Sequence, residues 1–125
     1  MAKKKPWFKT KTIPFPVFVD FKVIVEVTSN VGKSALRRKE TRKANIDERT
    51  EAFVITVKEK FTSYLVLPHN SSPGTIAHEC WHIVEDLMEI YELKPESETT
   101  AYHLGYLVDE IYKFSRGRLG RAPLR

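Results

Sequence analysis

Residues 75–93 read TIAHECWHIVEDLMEIYEL. Ile76, Cys80, Ile83, Val84, Leu87, Ile90 and Tyr91 recur at three- and four-residue steps, the period of one face of an α-helix. His78, His82, Glu85 and Glu89 fall on the other side. Ser72 or Thr75 is placed to cap the start, and Lys94-Pro95 ends the run because proline has no amide hydrogen with which to continue it. The segment therefore predicts an amphipathic helix whose apolar arc packs inward and whose histidines do not belong to the core.

On the polar side, His78-Glu79-Cys80-Trp81-His82 has the form HExxH. Residues four apart share a helix face, so both imidazoles can point at one cation. Glu79 projects beside them, where a carboxylate can act on a water held by that cation. A catalytic zinc needs three protein ligands and an open position. Glu98, sixteen residues after His82, is the candidate third ligand. It opens a second predicted helix, capped by Ser97 and running to about Phe114. Glu98, Ala101, Tyr102 and Gly105 share one stripe of that helix, and the small residues in it permit two helices to approach closely. Glu96 precedes the cap and His103 lies on the opposite side, so both rank below Glu98. A first-turn glutamate is also favoured by the helix dipole alone.

The rest of the chain supplies a sheet. From Val17 to Val27 every odd position is Val or Phe, while Asp20, Lys22 and Glu26 occupy even ones, which predicts a long half-buried strand. Glu51–Glu59 and Thr62–Leu67 predict two more strands joined as a hairpin, with Lys58-Glu59-Lys60 as the turn. Residues 34–44 suit a short basic helix, a long loop or projecting strand arms equally well. The expected fold class is α+β: a small, mainly antiparallel sheet packed against two antiparallel helices. The expected organisation is a flexible basic tail (1–11), one domain (12–115) and a basic C-terminal tail (116–125).

With 125 residues and 42% hydrophobic content the chain has the size and composition of a single domain with a real core. Its one cysteine excludes an internal disulfide framework. Cys80 falls on the apolar arc and is expected to pack, although a soft metal ligand is its other chemistry. The basic start runs into Pro6-Trp7 without the apolar core of a secretory leader, and no stretch reaches the length of a membrane span, so a cytoplasmic setting without membrane association is expected. Charge is unevenly spread: residues 1–11 hold five lysines and 116–125 four arginines, both without acids, while 33–50 hold seven basic and three acidic groups. Residues 51–115 hold four basic and eleven acidic groups, a balance of −7. Such basic ends and loop serve either as solubilising segments or as contacts for nucleic acid. Val31-Gly32-Lys33-Ser34 has the tail of a phosphate-binding loop, but the required glycine is Val27, so a nucleotide site is rejected.

His78-Glu79-x-x-His82 followed by Glu98-x-x-Ala101-Tyr102 resembles the gluzincin-type metallopeptidases, above all the small versions encoded by tailed phages and prophages. The resemblance covers residues 15–115. It implies Zn2+ bound by His78, His82 and Glu98, Glu79 as general base, and hydrolysis of a peptide or protein substrate in the bacterial host cytoplasm. Tyr102, on the Glu98 face, is the candidate donor to the oxyanion, with packing as its other role. The chain departs from the larger gluzincins in placing Tyr102 where they often have an aspartate, and in offering no separate histidine for transition-state stabilisation. By analogy with zincins, Thr62–Leu67 is the expected sheet edge for an extended substrate. The alternative functions are a non-catalytic, zinc-stabilised phage accessory protein and a nucleic-acid-associated protein.

Overall fold

The computed structural model describes residues 5–43, 51–94, 98–117 and 121–124. In chain order these form β1 (Trp7–Pro14), β2 (Lys22–Thr28), α1 (Val31–Leu36), α2 (Lys39–Arg42), β3 (Phe53–Val57), β4 (Thr62–Pro68), α3 (Pro73–Ile90), α4 (Glu98–Arg116) and β5 (Ala122–Pro123). The fold is α+β, as expected. The strands make a single sheet in the order β3-β4-β2-β1-β5, antiparallel except between β2 and β4. The predicted hairpin forms, with Phe53 opposite Val66 and Val57 opposite Thr62. A 3₁₀ turn, Lys58–Lys60, closes it, and Phe61 completes it in the left-handed region at φ 49°.

One face of the sheet carries α3 and α4. Val23, Val25 and Val27 of β2 and Leu65 and Leu67 of β4 meet Ile76, Cys80, Ile83, Val84 and Leu87 of α3, and Leu107, Ile111 and Phe114 of α4. Ser72 caps α3, its hydroxyl accepting from the Thr75 amide at 3.1 Å, and Pro73 follows at the first helical position, where its missing amide hydrogen costs nothing. Arg116 at the end of α4 donates to the Ser71 carbonyl beside the start of α3, so the two helices run antiparallel. The proposed Ser97 cap of α4 lies outside the described residues.

The opposite face is covered in part by α1 and α2. Ala35 packs with Phe53 and Val66, and the buried Glu26 carboxylate is met by Arg37 at 2.9 Å and Arg38 at 3.7 Å. A buried charge needs such partners, because desolvating it alone is costly. Residues 33–50, ambiguous in the sequence, thus include most of α1 and all of α2, and the two arginines between these helices neutralise a sheet glutamate. Residues 44–50 lie outside the described set.

Three sequence expectations are corrected. The strand predicted from Val17 starts at Lys22. Residues 15–21 form a turn closed by the Phe21 amide on the Phe18 carbonyl at 2.9 Å, which sends Phe15 and Phe21 inward and leaves Val17 and Val19 66% and 76% exposed. The predicted tail 1–11 contains most of β1, which pairs with β2 from Phe8 to Pro14. The predicted tail 116–125 contains β5, paired with the start of β1. Lysines disguised β1: Lys9 is buried in the sheet face, and its ammonium donates to the Phe114 and Gly117 carbonyls at 2.8 and 2.7 Å, capping the end of α4.

Leu87 contacts the core with no exposed surface, so Leu87→Ala is expected to destabilise the chain by about 2–5 kcal/mol. Urea unfolding checks this through a lower midpoint at unchanged slope.

Candidate metal centre

The burial of Ile76, Cys80, Ile83, Val84 and Leu87 fixes the rotation of α3. The opposite side must then face out, and His78 and His82 are both exposed there. Their Nε2 atoms stand 3.3 Å apart, with ring centroids at 4.9 Å and planes at 81°. A tetrahedral zinc with Zn–N bonds of about 2.0–2.1 Å holds two imidazole nitrogens about 3.3–3.4 Å apart. The pair therefore fits two ligand positions on one such ion. Glu85 adds an outer partner, its Oε1 lying 3.5 Å from His82 Nδ1. A carboxylate there fixes the ring so that Nε2 faces the ligand position.

Glu79 sits half-buried next to this pair. Burial pushes its carboxyl above the ordinary value of 4.5, and the neighbouring His78 and His82 oppose the rise. His78 and Glu79 line an open groove of about 480 Å³ together with Ser72, Thr75, Glu51 and Ala52. The far wall of the groove is Glu51 and Ala52, which lead into the edge strand β3. Two contacts hold α3 against that strand: the Thr56 hydroxyl donates to Asp86 Oδ2 at 2.6 Å and bonds the Ser63 hydroxyl at 2.7 Å, and Lys58 pairs with Glu89 at 2.6 Å.

The other candidate residues are placed differently. Glu98 is exposed in the first turn of α4. His82 lies eight residues before the end of α3 at Ile90, about 12 Å along the axis, and α4 begins only after the connection that follows. Among the described residues no group of three His, Cys, Asp or Glu side chains gathers around one cation position, so the structure brings His78 and His82 together without adding Glu98 to them. Tyr102 is 58% exposed, with its ring against His103. His103 is buried among Phe15, Phe18 and Tyr102, and its Nδ1 contacts the Thr99 carbonyl at 2.7 Å. Cys80 is fully buried and its thiol is pushed up to about 12, first by burial and then by Glu79, which suits packing and not metal binding. The expected edge Thr62–Leu67 is corrected: β4 is paired on both sides, and β3 is the edge beside the histidines.

Glu51 and Glu85 were missed as site residues. Glu85 was legible from its three-residue spacing to His82. Glu51 reaches the groove only through the β3–β4 pairing, which no local pattern reveals.

No family model, curated protein or solved structure matches this chain. No described helix is long and apolar enough to cross a membrane.

The raised Glu79 carboxyl carries a pH signature in the metal-free protein. A folded-state value above the unfolded one means that the folded chain holds the proton more tightly, so stability declines as pH rises from about 4.5 through the raised value. Thermal melts in EDTA should show Glu79→Gln losing that decline and being no less stable than the parent at pH 7. A variant that is markedly less stable there would contradict the burial argument.

Proposed function

We propose that this chain is a small zinc-dependent metallopeptidase that hydrolyses peptide bonds, of the kind phages and prophages encode for action in the host cytoplasm. The observation that carries this reading is the 3.3 Å approach of the His78 and His82 Nε2 atoms beside a half-buried glutamate. His78 and His82 hold the metal, and Glu98 is the proposed third ligand. Since the described arrangement does not have Glu98 beside the histidines, metal binding is coupled to a rearrangement of the start of α4. Bound zinc supplies a Lewis acid and lowers the pKa of a coordinated water to about 7.

The chain's own residues supply the remaining parts. Glu79 takes the proton from the attacking water and returns it to the leaving amine. Partial burial favours this role, because a base whose pKa is raised toward the working pH both accepts and gives up the proton readily. The groove between α3 and β3 holds an extended peptide beside the free edge of β3, and Tyr102 is the proposed donor to the oxyanion. The exposure of the histidine pair supports this reading over a purely structural zinc, which has all four positions filled by protein. Glu85 keeps His82 in its metal-facing orientation.

Purified chain is expected to bind one zinc ion. His78→Ala and His82→Ala should each reduce affinity by more than the roughly 10–100-fold expected of Glu85→Ala, which removes an outer partner only. Glu98→Ala should behave as a ligand loss, and an unchanged affinity would remove Glu98 from the centre. Glu79→Gln should keep the metal and lower peptide hydrolysis by about 10²–10⁴-fold. Zinc bound with no hydrolysis of any peptide in a degenerate library would favour the accessory-protein reading.

A further inference from the structure

Two basic segments from opposite ends of the chain meet in the fold. β5 pairs with the start of β1, and the Leu124 amide donates to the Pro6 carbonyl at 2.8 Å. Lys5 and Arg121 thereby flank one pocket of about 430 Å³, whose walls among the described residues include Trp7, Asn30 and His69 and no carboxylate. The Arg121 guanidinium lies 4.1 Å from the centre of the Trp7 ring, and His69 meets that ring nearly edge-on at 5.6 Å. The buried Lys9 ammonium, held by the Phe114 and Gly117 carbonyls, feels the Arg121 charge: its pKa is lowered by burial and then by that charge.

Among the described residues these charges have no carboxylate partner, a property they share with other cations such as Lys22 and Lys33, which are not gathered at this pocket. Lys11, Arg37, Arg38, Lys58 and Lys60 each have a carboxylate partner. Among the described residues, none of Lys5, Lys9, Arg116 or Arg121 has one within 4.0 Å. Clustered cations repel one another, and an external polyanion removes that cost while releasing its own counterions. The aromatic component narrows the choice. A Trp face combined with arginine suits an unstacked base, and a concave pocket admits one that is splayed out of a single strand. A lipid surface would need an apolar wedge at the same place, whereas none of the exposed large hydrophobic side chains among the described residues lines this pocket.

We propose that this end of the sheet binds single-stranded nucleic acid, with Lys5 and Arg121 on phosphates and a base stacked against the Trp7–Arg121 pair. His69 lines this pocket, and Ser72, three residues on, lines the groove at His78. A bound strand therefore lies at the same end of the sheet as the candidate metal centre. The binding itself does not depend on the peptidase reading.

The test is fluorescence anisotropy of the full chain with a labelled oligodeoxythymidylate of about twelve nucleotides, within the span such sites cover. Saturable binding is expected, with a log–log salt slope that falls by about 0.7 for each phosphate contact removed by Lys5→Ala or Arg121→Ala. The double variant should bind at least about tenfold more weakly, and because both side chains are exposed its melting curve should match the parent's. In a Trp81→Phe background the oligonucleotide should quench Trp7 fluorescence, a readout that needs no change at the site. Absence of binding at low salt, or binding indifferent to both substitutions, would overturn the proposal. So would equal competition by polyglutamate or phosphatidylserine vesicles without quenching, which would mark a general cationic surface.

Discussion

Everything at the candidate centre depends on the rotation at which α3 is locked. Ile76, Cys80, Ile83, Val84 and Leu87 have no exposed surface between the sheet and α4. Turning the helix by even one residue, about 100°, would expose several of them and cost several kcal/mol. The side chains between those anchors therefore have no choice of direction. His78 and His82 are held outward together, and Glu79 is left at the boundary between core and solvent. Its raised pKa follows from that position, since burial disfavours the charged carboxylate by more than the nearby His78 and His82 favour it.

The second constraint is lateral. Thr56 reaches from β3 to Asp86, and Lys58 reaches to Glu89, so the outer side of α3 is stitched to the edge strand along its C-terminal half. Among the described residues no such side-chain bond ties its N-terminal half to β3, and the groove opens there between His78, Glu79 and Glu51. A helix secured at one end of a groove and open at the other places polar chemistry next to a free strand edge. The same edge would be an aggregation hazard if it were long and flat, but β3 has only five residues and is followed by charged residues in the 3₁₀ turn. At the opposite edge of the sheet, β5 covers only the first part of β1 and in doing so gathers the basic ends.

Local patterns revealed the fold where periodicity and burial coincide. The arc of α3, the hairpin of β3 and β4, and the buried Cys80 follow from spacing alone. β1 did not, because Lys9 spends its charge on carbonyls at the end of α4 and so occupies an inward position that a pattern reader assigns to solvent. Val17 and Val19 misled in the opposite direction: the alternation through them is real, but a turn between Pro14 and Phe21 breaks the strand and two phenylalanines take the inward places. The position of β4 inside the sheet could not be read locally, since its parallel pairing with β2 joins segments separated by two helices and a strand. In the site, the histidine pair is encoded by its own spacing on one helix. A third ligand must come from another element, and the α3–α4 connection sets its reach, which spacing along the chain does not specify.

X-ray absorption at the zinc edge of the reconstituted full chain examines the coordination directly. Two imidazole nitrogens at about 2.0–2.1 Å, with the remaining positions filled by oxygen and no sulfur, are expected from His78 and His82 converging on one ion with solvent access. A shell with fewer than two imidazoles, or with sulfur from Cys80, would show that the α3 histidines do not form the centre.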